Sequence, residues 1–386
     1  MLKKVFYILC FCFIHFSPVI ADTHTLPKKE IVHIYYLHEI QPTLFMYADI
    51  LSRPKDELKI VFNGDIPENN NYNVIPLKMA LETGTQIQNG ILYKQADFNA
   101  FKKIYNQHKN ANFILHSGIF MSFNRLIPFL KQIPKKNIKG IQLYESNKGR
   151  LKEFWTPSSF LFDKKELEWC IKRHCIEHQD LLFSLGMLYP TVYHIGYIDD
   201  LRKDPAYASF WNNVDKTHAS FEEMDFYQLK EKLTSSQKKD LLKIYSFDID
   251  KYLSEIQNKK VNIFVIGHAS EDKHQNDIIQ AIKDWYDLYK NNEKYKLYVK
   301  WGRNKKLKTA LQEQGIFISD FPDISFELLI ITDLIPDLVS GTPTSLFYNL
   351  PKERIDRIYN LPYRHQIDFL VENNLIQRDQ IIDLSK

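Results

Sequence analysis

The chain has 386 residues, 44% hydrophobic and 14% aromatic, enough for one large or two medium cores, and the length favours two domains. Its 51 lysines and arginines nearly balance 47 aspartates and glutamates, and the net charge of +4 is scattered along the chain, which argues against a nucleic-acid groove. Four cysteines, two of them within the first 21 residues, are too few for a disulfide framework.

Residues 1–21 join Lys3 and Lys4 to an apolar run from Val5 to Phe16 and a small-residue stretch ending at Ala21, the pattern of a signal peptide or membrane anchor. The run is shorter than the ~20 residues a full span needs, so both readings stay open. Beyond it, short β-branched or aromatic runs at 31–36, 58–62, 112–116 and 140–144 alternate with helical patterns at 98–108 and 123–132, which predicts βαβ units over a first domain, 22–150. Residues 151–258 are polar, aromatic and helical in pattern, and are expected to link the lobes. Alternation resumes over 259–386, with strands at 261–266 and 296–299 and helices at 278–290 and 307–314. The last stretch, 363–383, has a helical pattern and is expected to return to the first lobe. The fold class expected is α/β, with two Rossmann-like domains.

The most informative stretch is 324–352. Ser325 and Phe326 open a predicted helix that carries Glu327 in its first turn, and an apolar strand ending near Val339 delivers Gly341, Thr344 and Ser345 to the start of a second helix. Free backbone N–H groups and hydroxyls there suit a phosphate. The run Ile324, Ser325, Phe326, Glu327, followed by Gly341, Thr344, Ser345, Leu346, Leu350, Pro351 and Lys352, resembles the bacterial sialyltransferases of glycosyltransferase family 80. The likeness covers most of 31–386 and is sharpest here.

That resemblance implies a GT-B architecture, two Rossmann-like domains facing across a cleft. It also implies inverting, metal-independent transfer of sialic acid from CMP-sialic acid to a galactoside. Glu327 would hold the ribose, and the Thr344–Ser345 turn the phosphate. The family's catalytic base matches Glu145, in the run from Gln142 to Gly149, with Ser146 where the family has a second acid. Its phosphate-binding Lys-Gly-His-Pro motif matches Lys300, Trp301, Gly302, Arg303 and Asn304 in part. Arg303 replaces the histidine and keeps a fixed charge of bidentate geometry. The loop Gly267, His268, Ala269, Ser270 falls where the family contacts the nucleotide. Acceptor-facing positions fall at Leu37 or at His38 and Glu39, and at Met121, with His116 one strand position earlier.

Cys170, His174 and His178 share one helical face with the spacing of metal ligands, but three ligands along a straight helix span too far to chelate one ion, so no metal is expected. The leading expectation is a sialyltransferase of bacterial surface glycan, such as lipooligosaccharide, using no cofactor beyond its donor substrate. Its partners would be a nucleotide-sugar donor and a galactoside acceptor, with no nucleic acid. Residues 1–21 would give inner-membrane association or a periplasmic location, the side of the membrane left open. The competing readings are a catalytically silent GT-B protein that binds a glycan or nucleotide, and a periplasmic solute-binding protein.

Overall fold

The computed structural model describes residues 29–37, 40–64, 66, 70–77, 95–119, 122–145, 164–173, 185–196, 202–203, 205, 208–267, 274–301, 305–322, 324–360, 366–372 and 374–384. The expected targeting segment at 1–21 lies outside them. Among the described residues no helix is long and apolar enough to cross a membrane.

The first lobe contains β1 (Ile31–Tyr36), α1 (Ile40–Ser52), β2 (Leu58–Phe62), β3 (Val74–Leu77), α2 (Gln95–Gln107), β4 (Asn112–Gly118), α3 (Ser122–Gln132), β5 (Ile138–Glu145), α4 (Lys164–Arg173), β6 (Thr191–Ile195), α5 (Ala208–Val214) and β7 (Ala219–Glu223). Its seven strands lie in the order β3-β2-β1-β4-β5-β6-β7, every pair parallel. Strand β2 is buried along its whole length, as a central strand of a parallel sheet covered on both faces must be. Phe62, Phe101 and Phe129 lock α2 and α3 onto one face, Phe101 and Phe129 meeting edge to face at 5.0 Å between ring centroids.

The second lobe follows α6 (Phe226–Lys232), α7 (Ser235–Ile244) and α8 (Ile249–Ile256). It runs through β8 (Lys260–Val265), α9 (Gln275–Tyr289), β9 (Tyr295–Lys300), α10 (Lys305–Gln312), β10 (Ser319–Asp320), α11 (Phe326–Ile331), β11 (Leu338–Gly341), β12 (Ile355–Asn360), α12 (Gln366–Glu372) and β13 (Ile381–Asp383). The six strands are again all parallel, in the order β10-β9-β8-β11-β12-β13. Both sheets therefore reverse strand order beside their first strand, between β1 and β4 and between β8 and β11, and such switch points open crevices at carboxyl strand ends.

Helices α6 and α7 join the lobes. Asp225 caps α6 through Tyr227 N and Gln228 N, and Thr234 with Gln237 forms a capping box on α7. One apolar cluster runs from Leu44 and Ile50 of α1, through Phe226 and Leu241, to Ile263, Leu329 and Val339 of the second lobe. Polar ties follow the same seam. The Tyr72 hydroxyl donates to Asp240 at 2.6 Å, Gln237 Nε2 donates to the Leu51 carbonyl at 2.6 Å, and Lys230 and Lys238 reach Asp333 at 2.5 and 2.7 Å. Against the opposing effect of burial, the two lysines hold the Asp333 carboxyl below the usual range.

Two expectations about organisation are corrected. The stretch 151–258 is not solely a helical connector, because β6 and β7 within it complete the first sheet, which extends to Glu223 rather than ending near 150. Strand β7 escapes notice because it is an edge strand carrying Glu222 and Glu223, charges that protect an open edge but disguise the strand pattern. The chain end does not return as a helix. Among the described residues of that stretch the α-helical part is Gln366–Glu372, and Ile381, Ile382 and Asp383 pair with β12 as the edge of the second sheet.

Candidate functional site

The second-lobe switch point is held by Gly341 and Thr342. A Cβ on Gly341 would stand 2.1 Å from the Val265 carbonyl oxygen, so only glycine lets β11 pass this close to the end of β8. The next residue, Thr342, is fully buried; its N–H donates to the Val265 carbonyl at 3.0 Å, and its Oγ1 accepts from Gly267 N–H at 2.7 Å. Gly267, expected in the loop that contacts the nucleotide, thus has its N–H engaged in joining the β8 and β11 turns. Thr342→Val, which keeps the shape and removes that acceptor, is expected to cost about 2 kcal/mol in thermal unfolding, and Thr342→Ser much less. Equal losses in both would show that shape matters here rather than the hydrogen bond.

Beyond Thr342, the expected helix is a five-residue 3-10 turn, Ser345–Asn349. Pro351 disfavours α geometry at Leu350 and has no N–H to continue a helix. Thr344 stands half-buried and extended at the head of this turn, beside Ser345.

Glu327 is only 5% exposed, in the first turn of α11, which Ser325 caps by accepting from Leu328 N–H at 3.3 Å. An ordinary first-turn acid on a surface helix would be solvated, whereas this carboxyl sits among buried residues. Burial chiefly, with Tyr47 and Glu327 nearby, raises the Tyr245 phenol. Tyr245 packs edge-on against Tyr47 of α1, so Glu327 lies close to the seam between the lobes. Lys300, at the end of β9, donates to the Ile324 carbonyl at 2.5 Å and ties that strand to the approach to α11. A cavity of 690 Å³ opens alongside, lined by Lys300, Trp301, Phe321, Pro322, Ile324 and Tyr245 among others.

In the first lobe, Glu145 ends β5 and is 3% exposed, so it is not a solvated turn residue. Its carbonyl accepts from Gly196 N–H at 3.0 Å. Tyr144 points to the opposite sheet face, onto a buried polar row that sequence reading missed. His33 Nε2 faces Glu57 at 3.1 Å, His33 Nδ1 faces His116 Nε2 at 2.9 Å, and His116 Nδ1 faces the Tyr144 hydroxyl at 3.0 Å. Because the Glu57 carboxylate accepts, one set of tautomers satisfies the chain: His33 donates from Nε2, His116 donates to His33, and Tyr144 donates to His116. Burial first, then the charges of His116 and Arg53, lowers His33 to about 2. Burial, Arg53 and His194 push His116 well below its ordinary value. Tyr35 stacks on His116 at 4.1 Å and donates to Asp49 at 2.5 Å, while Arg53 grips the same carboxylate at 2.6 and 2.9 Å. Tyr144 also stacks on His194 at 4.6 Å. The available signal was positional, since His33, His116 and His194 lie on three strands with side chains on one face.

The structure therefore brings Gly267, Thr344 and Ser345 to the second-lobe switch point, lines the neighbouring cavity with Lys300, buries Glu327 in the first turn of α11, and puts Glu145 at the first-lobe carboxyl edge. Gly302, Arg303, His268 and Ser270 lie outside the described residues, as do His38, Glu39, Met121, His174, Cys175 and His178. Among the described residues no cluster of His, Cys, Asp or Glu has the arrangement of a metal site.

Two doubly wound parallel sheets with facing switch points define a GT-B protein. Residues 207–376 match the family model described as Sialyltransferase PMO188, a family of transferases, and the resemblance is borne out there, over α6, α7 and most of the second lobe. A search of curated protein sequences finds no match. Among solved structures, a 2,6-sialyltransferase from Photobacterium sp. JT-ISH-224, in complex with CMP and lactose, is 20% identical with a TM-score of 0.67, covering 92% of this chain and 78% of that one. The α/β-galactoside α-2,3-sialyltransferase of Photobacterium phosphoreum is 16% identical at a TM-score of 0.65, covering 93% and 100%. The UDP-GlcNAc 2-epimerase of Methanocaldococcus jannaschii is 10% identical at 0.50, covering 92% and 89%. At these identities the likeness to solved structures establishes the fold.

Proposed function

We propose that the protein transfers sialic acid, or another nonulosonic acid, from its CMP ester to a terminal galactoside of a bacterial surface glycan such as lipooligosaccharide, with inversion and without a metal. The observation that carries this reading is the buried carboxylate of Glu327 in the first turn of α11, within the stretch that matches the sialyltransferase family model. A carboxylate there accepts from both ribose hydroxyls and needs no pKa shift to do so. Thr344 and Ser345 supply hydroxyls and turn N–H groups to the phosphate, and Arg303 its fixed charge. Glu145 takes the acceptor hydroxyl proton as that oxygen attacks the anomeric carbon, while the CMP oxygen departs with the bond electrons. Attack from the face opposite the leaving group inverts the centre. Residues 1–21 attach the protein to the bacterial inner membrane or direct its export.

Titration calorimetry with CMP tests the donor half of this assignment. The natural chain is expected to bind saturably and Glu327→Ala about 10- to 100-fold more weakly, the loss of hydrogen bonds to a charged acceptor. No binding at millimolar CMP would refute it. The silent binder remains the second reading, favoured by the engagement of Gly267 N–H with Thr342 and of Lys300 with Ile324. Saturable CMP binding with no transfer to any galactoside would select it.

A further inference from the structure

An open groove of 370 Å³ lies between the end of β7 and the turn that follows Ser345. Glu223, Asp225, Phe226 and Tyr227 form one wall, from the segment that leaves the first sheet; Tyr348 and Pro351, from the second lobe, help form the other. The walls are fixed in place. The Tyr227 hydroxyl donates to the Asn349 carbonyl at 3.0 Å, Asp225 is held as the cap of α6, and Phe226 packs on Phe45 of α1 at 4.7 Å between centroids.

The chemistry of the lining selects its ligand. No lysine, arginine or histidine is among the described lining residues, so a phosphate or carboxylate finds no counter-charge there. Half-buried tyrosine rings beside two carboxylates suit a neutral polyhydroxylated ring, whose C–H face packs on the aromatics while its hydroxyls donate to the acids.

Position selects its place in the reaction. Glu145, Ile195 and Glu223 are register partners across β5, β6 and β7, so Glu223 ends its strand two strands from the candidate base, on the same carboxyl edge. With neighbouring strands ~4.8 Å apart, their backbones are about 10 Å from each other. The opposite wall begins a few residues after the Thr344–Ser345 turn. A glycan presented to Glu145 thus has this groove within reach of its further sugars.

We propose that the groove is a subsite for the acceptor glycan, holding a neutral hexose of the acceptor chain away from the galactose that reacts. It rests on the transferase reading, and the test separates the two. The full-length chain, with and without saturating CMP, is titrated by NMR with lactose and with a linear tetrasaccharide ending in galactose. The tetrasaccharide is expected to bind roughly fivefold more tightly, the effect of one added aromatic contact. That advantage should vanish in Tyr348→Ala and shrink in Glu223→Gln. Equal affinity for the two sugars in the natural chain would overturn the subsite. So would a Tyr348→Ala chain that loses lactose and tetrasaccharide in the same proportion, because that marks lost shape rather than a lost contact. A tetrasaccharide preference lost in Tyr348→Ala but found without any CMP binding would keep the glycan site and sink the donor assignment.

Discussion

Lowering the pH from 7 to 5 is expected to remove about 4 kcal/mol of folding stability through His33 and His116. Both rings are fully buried and neutral, with His33 lowered to about 2 and His116 also well below its ordinary value. In the unfolded chain each titrates near the ordinary ~6.5. Below that pH the unfolded state binds protons that the folded state refuses. The stabilisation is therefore fully present above about 6.5 and is lost as the pH falls, at up to ~1.4 kcal/mol per unit for each ring. Over the interval from 7 to 5 this comes to about 2 kcal/mol per ring. His194, also lowered chiefly by burial, adds in the same direction. Protonation would also break the tautomer chain, since His33 Nδ1 and His116 Nδ1 would turn from acceptors into donors facing donors. Urea midpoints across this range check the slope. The double variant His33→Gln, His116→Gln should be less stable at pH 7 and markedly flatter with pH, and an unchanged slope would remove these residues from the account.

Gly341→Ala is expected to cost about 3 kcal/mol and to weaken CMP binding along with stability. The added methyl would meet the Val265 carbonyl oxygen at 2.1 Å, and Val265 N and C at 2.9 Å. All three are backbone atoms of a paired strand, so relief requires β11 to separate from β8 and would pull Thr342 off Gly267. Gly315→Ala supplies the contrast. That glycine has φ +76°, but an added methyl there would meet nothing within 4 Å, so its substitution carries only the conformational cost of about 1 to 2 kcal/mol. Gly341 also has a positive φ, +156°, so it is the excess of its loss over that of Gly315 in thermal melts that measures close approach. If both lose the same stability, crowding at the switch point is not what reserves position 341 for glycine.

The parallel sheets were legible because strands buried on both faces read as short apolar runs. Residues 31–36 and 58–62 were located to the residue, as β1 and β2. Strand β7 was not, because the demand of an open edge for charge overrode its alternation. Helix α1 was missed for a related reason. Leu44, Met46, Ala48 and Ile50 are all fully buried, under the first sheet and against α7, so the helix shows little polar face from which to read a period. The donor half of the candidate site was readable because Glu327 and the turn after Gly341 are contiguous in sequence. Thr342 was passed over although it sits inside that motif; its role depends on Gly267, 75 residues away, and nothing local announces the pairing. The histidine row is of the same kind. Its members lie on strands adjacent only in the folded sheet, and the deep burial that makes them notable is invisible to composition.

The apolar cluster that passes from α1 through α6 and α7 into the second sheet bears on how such a chain can diversify. Donor-binding and acceptor-binding halves of a two-lobed protein are often imagined as cassettes, exchangeable so long as each keeps its own core. Here Phe226, Leu241 and Leu329 belong to a core that neither half owns. Recombination at the midpoint would leave each parent's surface facing a stranger's, with the Tyr72–Asp240 contact mismatched. The loops at the strand ends lie outside this shared core, so sequence there can change without reopening the seam.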